Sequence, residues 1–195
     1  MLKQFNNLPQ KTIPANSDII AIQDASGITK HITRENFLAG ISGGGDTKFI
    51  QLAHKVTSGT PGGTATSGSW LARTINTVIS DDTAQVATPN ANKFILPSGD
   101  YTIDVVSMFY RTGYTKMRLQ NLTAGTTILT GIATWVLNTQ GSLIPLTLTG
   151  KFSTSQAQEL QLQYRCANTM ATYGLGDPPN FGDDEIYCTV NLRKS

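Results

Sequence analysis

Short runs of alternating apolar and polar residues dominate the chain after residue 55. In Glu159-Leu160-Gln161-Leu162-Gln163-Tyr164-Arg165-Cys166 the apolar side chains of Leu160, Leu162, Tyr164 and Cys166 fall on one face. Glu159, Gln161, Gln163 and Arg165 fall on the other, which is the signature of a half-buried strand. The run 185–193 repeats the pattern, with Ile186, Cys188, Val190 and Leu192 predicted inward and Glu185, Tyr187, Thr189, Asn191 and Arg193 outward. In 115–122, Met117 and Leu119 point in while Lys116, Arg118 and Gln120 point out. Further strands are predicted at 70–79, 93–96, 101–111, 127–135 and 142–152, punctuated by Gly, Pro, Asn or Asp. No helical period intervenes. The pattern predicts an all-β fold, an antiparallel two-sheet jelly roll.

The text before residue 42 differs. Two β-branched runs, 18–24 and 28–32, flank Ala25-Ser26-Gly27 and predict a hairpin. Thr33 then stands as an N-cap for a short helix carrying Phe37, Leu38 and Ile41 on one side, with Gly40 as its stop. A lone hairpin with two helical turns is marginal in water, so residues 1–41 are expected to gain order from a partner or from copies of themselves. The run Gly40-Ile41-Ser42-Gly43-Gly44-Gly45-Asp46 is too flexible for a strand interior. The expected organisation is a hairpin-helix over 1–41, a linker over 42–54 and a β head over 55–195.

Charge and composition narrow the function. Of 195 residues 39% are hydrophobic and 14% charged, enough apolar content for a substantial core. The net charge of +2 comes from scattered residues, with no basic stripe of the kind nucleic acid requires. No apolar run is long enough to span a bilayer, and the start lacks the pattern of a secretion signal. The expectation is a protein made in the cytosol, without membrane insertion.

Candidate chemistry is sparse. His31 lies in the small hairpin and His54 has no nearby acidic partner in sequence; both are expected to be surface imidazoles, so no catalytic residue is assigned and no enzymatic activity is expected. Asp46 stands where a phosphate loop needs lysine. Asp177, Asp183, Asp184 and Glu185 match no calcium loop and are expected to form a solvated acidic loop. Cys166 and Cys188 cannot build a zinc site and are expected as buried thiols, with a disulfide open only if their strands are neighbours. No cofactor or metal is expected.

Several stretches carry a resemblance: Ser58-Gly59-Thr60-Pro61-Gly62-Gly63 through Trp70-Leu71-Ala72-Arg73, Leu96-Pro97-Ser98-Gly99-Asp100-Tyr101, Lys116-Met117-Arg118-Leu119-Gln120-Asn121, the 159–166 run, and Gly174-Leu175-Gly176 followed by Asn180-Phe181-Gly182. In this order they resemble a knob domain of bacteriophage tail fibres and other surface proteins. The segment Pro14-Ala15-Asn16-Ser17-Asp18-Ile19-Ile20-Ala21-Ile22-Gln23-Asp24, with Lys30-His31-Ile32-Thr33 and Asn36-Phe37-Leu38, resembles the virion-attachment element that begins many phage fibres. The knob is similar to tumour-necrosis-factor and complement-head jelly rolls, and the resemblance implies a homotrimer.

In such trimers the sheet holding the first, last and two middle strands surrounds the three-fold axis. Arg118, Gln161, Gln163, Arg165 and Tyr187, read as sharing one side, are therefore expected to line the trimer interface. Ile19, Ile20, Ile22, Ile32, Phe37 and Leu38 are expected to dock on another virion protein. Tyr110, Tyr114, Tyr173, Asp177, Pro178, Pro179 and Asn180 are the candidates for contact with a host glycan or protein, as aromatic and amide loop tips suit such surfaces. The expected function is a short trimeric tail fibre on the virion surface. The Ser42–Lys48 stretch spans only about 25 Å at full extension, which keeps a capsid-decoration or head-fibre role open.

Overall fold

The computed structural model describes residues 15, 17–23, 27–41, 47–83, 86, 92–137, 139 and 143–195. The chain divides into two compact units, Met1–Gly45 and Asp46–Ser195.

In the first unit the hairpin forms as its pattern predicts. Strand β1 (Ile19–Gln23) runs antiparallel to β2 (Thr29–Thr33), with Ile20 opposite Ile32 and Ile22 opposite Lys30. Helix α1 (Arg34–Ile41) follows at once. The Thr33 hydroxyl oxygen accepts from the Asn36 amide at 3.2 Å, the N-cap geometry that satisfies one orphan donor of the first turn. The Arg34 amide donates to the Asp18 carbonyl at 2.7 Å, tying the helix start to the first strand. Gly40 does not end the helix, which continues to Ile41.

The second unit is a two-sheet antiparallel jelly roll. Its strands are β3 (Lys48–Val56), β4 (Leu71–Ala72), β5 (Thr77–Asp81), β6 (Phe94–Leu96), β7 (Gly99–Tyr110), β8 (Gly113–Asn121), β9 (Thr126–Val136), β10 (Leu143–Thr154), β11 (Gln158–Cys166) and β12 (Glu185–Lys194). One sheet has the order β10-β7-β12-β3-β5; the other is β4-β11-β8-β9, with β6 also paired to β11. Ile50, Leu52, Ile103, Val105, Phe109, Leu146, Val190 and Leu192 from the first sheet meet Phe94, Met117, Leu119, Leu160 and Leu162 from the second. Burying each such side chain contributes roughly 1.5–3 kcal/mol, the main favourable term.

Three expectations are corrected. Residues 48–54 are not linker: β3 sits inside its sheet between β12 and β5, with Ile50, Leu52 and Ala53 fully buried. Residues 42–46 of the expected linker lie outside the described residues. The expected strand 70–79 is two strands in different sheets, β4 on β11 and β5 on β3, because Arg73 between them turns into the core. Finally, β12 carries a bulge between Ile186 and Cys188. An extra residue shifts the alternation by one, so Ile186 is 50% exposed while Tyr187 and Glu185 are buried.

Both cysteines are free and buried. Cys166 lies in β11 and Cys188 in β12, strands of different sheets, and burial pushes the Cys166 thiol up to about 11. His54, expected at the surface, is 3% exposed. It faces inward on β3 in step with Ile50 and Leu52, and its ring meets Arg73 there.

Candidate functional site

Arg73 is the charged centre of the head. It is fully buried, and its guanidinium donates from Nε to Ser107 Oγ (2.7 Å), from Nη1 to His54 Nδ1 (2.9 Å), and from Nη2 to the Leu175 and Tyr187 carbonyls (2.8 and 3.0 Å). Phe109 packs beneath it, with the guanidinium carbon 5.6 Å from the ring centroid. These partners come from β3, β7, β12 and the loop around Leu175. Arg73 therefore holds one end of the sandwich together with neutral acceptors alone. Because arginine only donates, His54 Nδ1 must accept, which puts the imidazole proton on Nε2. Burial and the adjacent guanidinium lower the His54 pKa to about 3. A buried, neutral histidine pinned this way is a structural group.

Tyr187 belongs to the same end. Its hydroxyl donates to the Thr60 carbonyl at 2.8 Å, its ring lies 5.6 Å from that of His54, and burial raises its pKa to about 12. The expectation that Tyr187 shares an outward face with Arg118, Gln161, Gln163 and Arg165 is thus corrected. The bulge turns it inward, and β12 belongs to the sheet opposite β8 and β11.

The remaining four residues of that set do share one face, the outer face of the β8 and β11 pair. Arg118 Nε donates to Gln163 Oε1 at 2.8 Å, Gln163 Nε2 to Gln161 Oε1 at 2.7 Å, and Arg118 Nη1 to Thr127 Oγ1 at 3.1 Å. The Arg118 guanidinium also stacks on the Trp70 indole, 4.4 Å from the ring centroid. This ladder fixes the indole at the border of an open cleft of about 620 Å³.

Trp70, Tyr114, Lys116 and Arg165 line that cleft, with Ser67 and Ala133 among its walls. Tyr114 is 71% exposed, although it is a strand residue. Lys116 and Arg165 stand directly opposite each other across the β8 and β11 pairing. Both are exposed, and neither side chain has a hydrogen bond or an acidic partner among the described residues. Tyr114 and Arg165 are among the residues expected from the sequence at functional surfaces; Trp70, just before β4, and Lys116 join them only in the folded sheet.

The other contact candidates separate from Tyr114. Tyr110 is half-buried at the end of β7, where its amide donates to the Gly174 carbonyl at 3.1 Å. Tyr173, Asp177 and Pro179 are exposed, and Pro178 is half-buried. Asn180 takes φ of +56° and its amide donates to Glu185 Oε1 at 3.1 Å, so it shapes its own turn. Phe181 is 87% exposed beside it. Of the acidic group, Asp184 pairs with Lys55 at 2.7 Å, and Glu185 also accepts from the Gly59 amide at 3.1 Å. Among the described residues no cluster of groups suited to a metal ion occurs.

In the first unit, Ile19 is 66% exposed, and Ile20, Ile32 and Phe37 are half-buried. The side chains of Ile22 and Leu38 lie outside the described residues.

No protein-family model matches the chain, and no curated protein matches it. Solved structures do. Mouse APRIL at pH 5.0 is similar at 9% identity over 77% of this chain and 100% of its own, with a TM-score of 0.50. The globular domain of zebrafish complement 1qA is similar at 11% identity over 76% of this chain and 97% of its own, with a TM-score of 0.48. At such identities the likeness to mouse APRIL is one of fold alone, the antiparallel two-sheet jelly roll that the pattern predicts.

Proposed function

We propose that this chain is a surface protein of a bacteriophage virion, a short trimeric tail fibre. Residues 1–41 dock on another virion protein and the jelly-roll head adheres to the host surface. The observation that carries the reading is the outer face of the sheet that holds the first and last strands of the head. Through β10, β7, β12 and β3 a row of Thr147, Val106, Thr189 and Ala53 crosses this face without a charge. Above it stand Met108 and Pro145, with Ile186 opposite Lys55, while Asp104 lies one row below Val106 and Lys151 and Arg193 two rows below. Val106 at 37% and Ile186 at 50% exposure are apolar groups that association would bury.

Self-association through this face leaves the opposite sheet, with its cleft, open to solvent. Three copies of one weak site then raise avidity by roughly 10²–10⁴. The trimer interface is accordingly proposed on β3, β7, β10 and β12 instead of on Arg118, Gln161, Gln163 and Arg165.

Light scattering of the full chain tests the association. The expected result is a trimer that Val106→Glu converts to folded monomers, since three carboxylates would meet around the axis. A wild-type monomer, or a variant that stays trimeric, overturns the assignment of this face. Labelled antibody on intact virions tests the location, with labelling of the tail expected and uniform labelling of the head against it.

A further inference from the structure

We infer that the cleft on the outer face of β8 and β11 binds a carboxylate-bearing sugar of a surface polysaccharide. This rests on the adhesive reading above and names its ligand. Like charges set directly opposite on a sheet repel, yet Lys116 and Arg165 are such a pair and have no acidic partner among the described residues. One carboxylate placed between them would take charge-assisted bonds from both.

The flanking groups select the rest of the ligand. Trp70, held by Arg118 stacked on it, and the exposed Tyr114 offer flat apolar surface for the C–H face of a pyranose ring. Beyond the two cations the next row holds Arg118, already engaged by Gln163, Thr127 and the Trp70 ring, and the face then continues as uncharged amides and hydroxyls, Gln163, Gln161 and Thr127. These suit the hydroxyls of further sugars. A polyphosphate would need a continuing run of disengaged cations, whereas Arg118, the next one along, is held by Gln163, Thr127 and Trp70.

Titration calorimetry of the full-length protein with sialyllactose, trigalacturonate, lactose and inorganic phosphate tests this. Binding of at least one acidic sugar and neither lactose nor phosphate is expected, weakened by added salt. Lys116→Ala and Arg165→Ala should each weaken it roughly tenfold or more, the loss of one charge-assisted bond. Tyr114→Ala should weaken it as well. All three sites are exposed, so the variants should keep the wild-type unfolding midpoint. No binding of either acidic sugar, equal binding of lactose or phosphate, or indifference to both cation substitutions overturns the assignment. Adhesion to bacteria with acidic capsules separates the two claims. Wild-type adhesion unchanged in the double variant leaves the adhesive head standing and removes this cleft, whereas no wild-type adhesion to any bacterial surface counts against the head itself.

Discussion

His54 Nδ1 lies 2.9 Å from Arg73 Nη1 in the interior of the head, and the bond has one possible direction. The guanidinium donates and the imidazole accepts. His54 is thereby committed to its neutral form, with its pKa lowered to about 3 by burial and by that neighbouring charge.

An acid-sensitive stability follows. The unfolded chain takes up the His54 proton below about 6.5, while the folded chain resists until about 3. The contribution is complete above the unfolded value and declines across that window, by up to about 1.4 kcal/mol per pH unit. Urea unfolding between neutral and acid pH should show this slope. His54→Asn, which keeps an acceptor near the Nδ1 position and cannot titrate, should flatten it; an unchanged slope would remove His54 as its source.

Replacing Arg73 by Met should destabilise the head by about 3–5 kcal/mol, because Ser107, His54 and two carbonyls lose a buried donor at once. Arg73→Lys should recover only part of this, since an ammonium cannot present the planar fork that reaches all four. Denaturant midpoints of the two variants would check the ranking.

Two glycines of similar backbone conformation should respond unequally to alanine. At Gly176, φ +149°, an added Cβ would stand only 2.0–2.5 Å from atoms of the Tyr187 ring; at Gly63, φ +101°, nothing stands within 4 Å. Gly63→Ala should cost about 1 kcal/mol through strain alone. Gly176→Ala should cost several times more, or displace Tyr187 and shift its near-ultraviolet circular dichroism.

Residues 47–195 should fold without the N-terminal unit, because every residue of the buried cluster lies within them. Calorimetry of that fragment should reproduce the unfolding midpoint of the head in the full chain. A drop of many degrees would show that the first unit contributes to its stability.

Much of this architecture is legible in one dimension. A strand with one face in the core must alternate, so Leu160, Leu162, Tyr164 and Cys166 announce their common side. A short polar residue before a helix must cap it, so Thr33 announces the start of α1. Alternation tells which residues share a face of a strand, but not which strands share a sheet. That β12 lies beside β3 and β7, away from β8 and β11, depends on long-range pairing that leaves no local mark. A bulge changes parity without changing composition, which is why Tyr187 reads as outward and is buried. Burial of a polar side chain depends on partners distant in sequence. His54 and Arg73 are hidden because each completes the other, and the Lys116 and Arg165 pair exists because two separately ordinary strands meet in register.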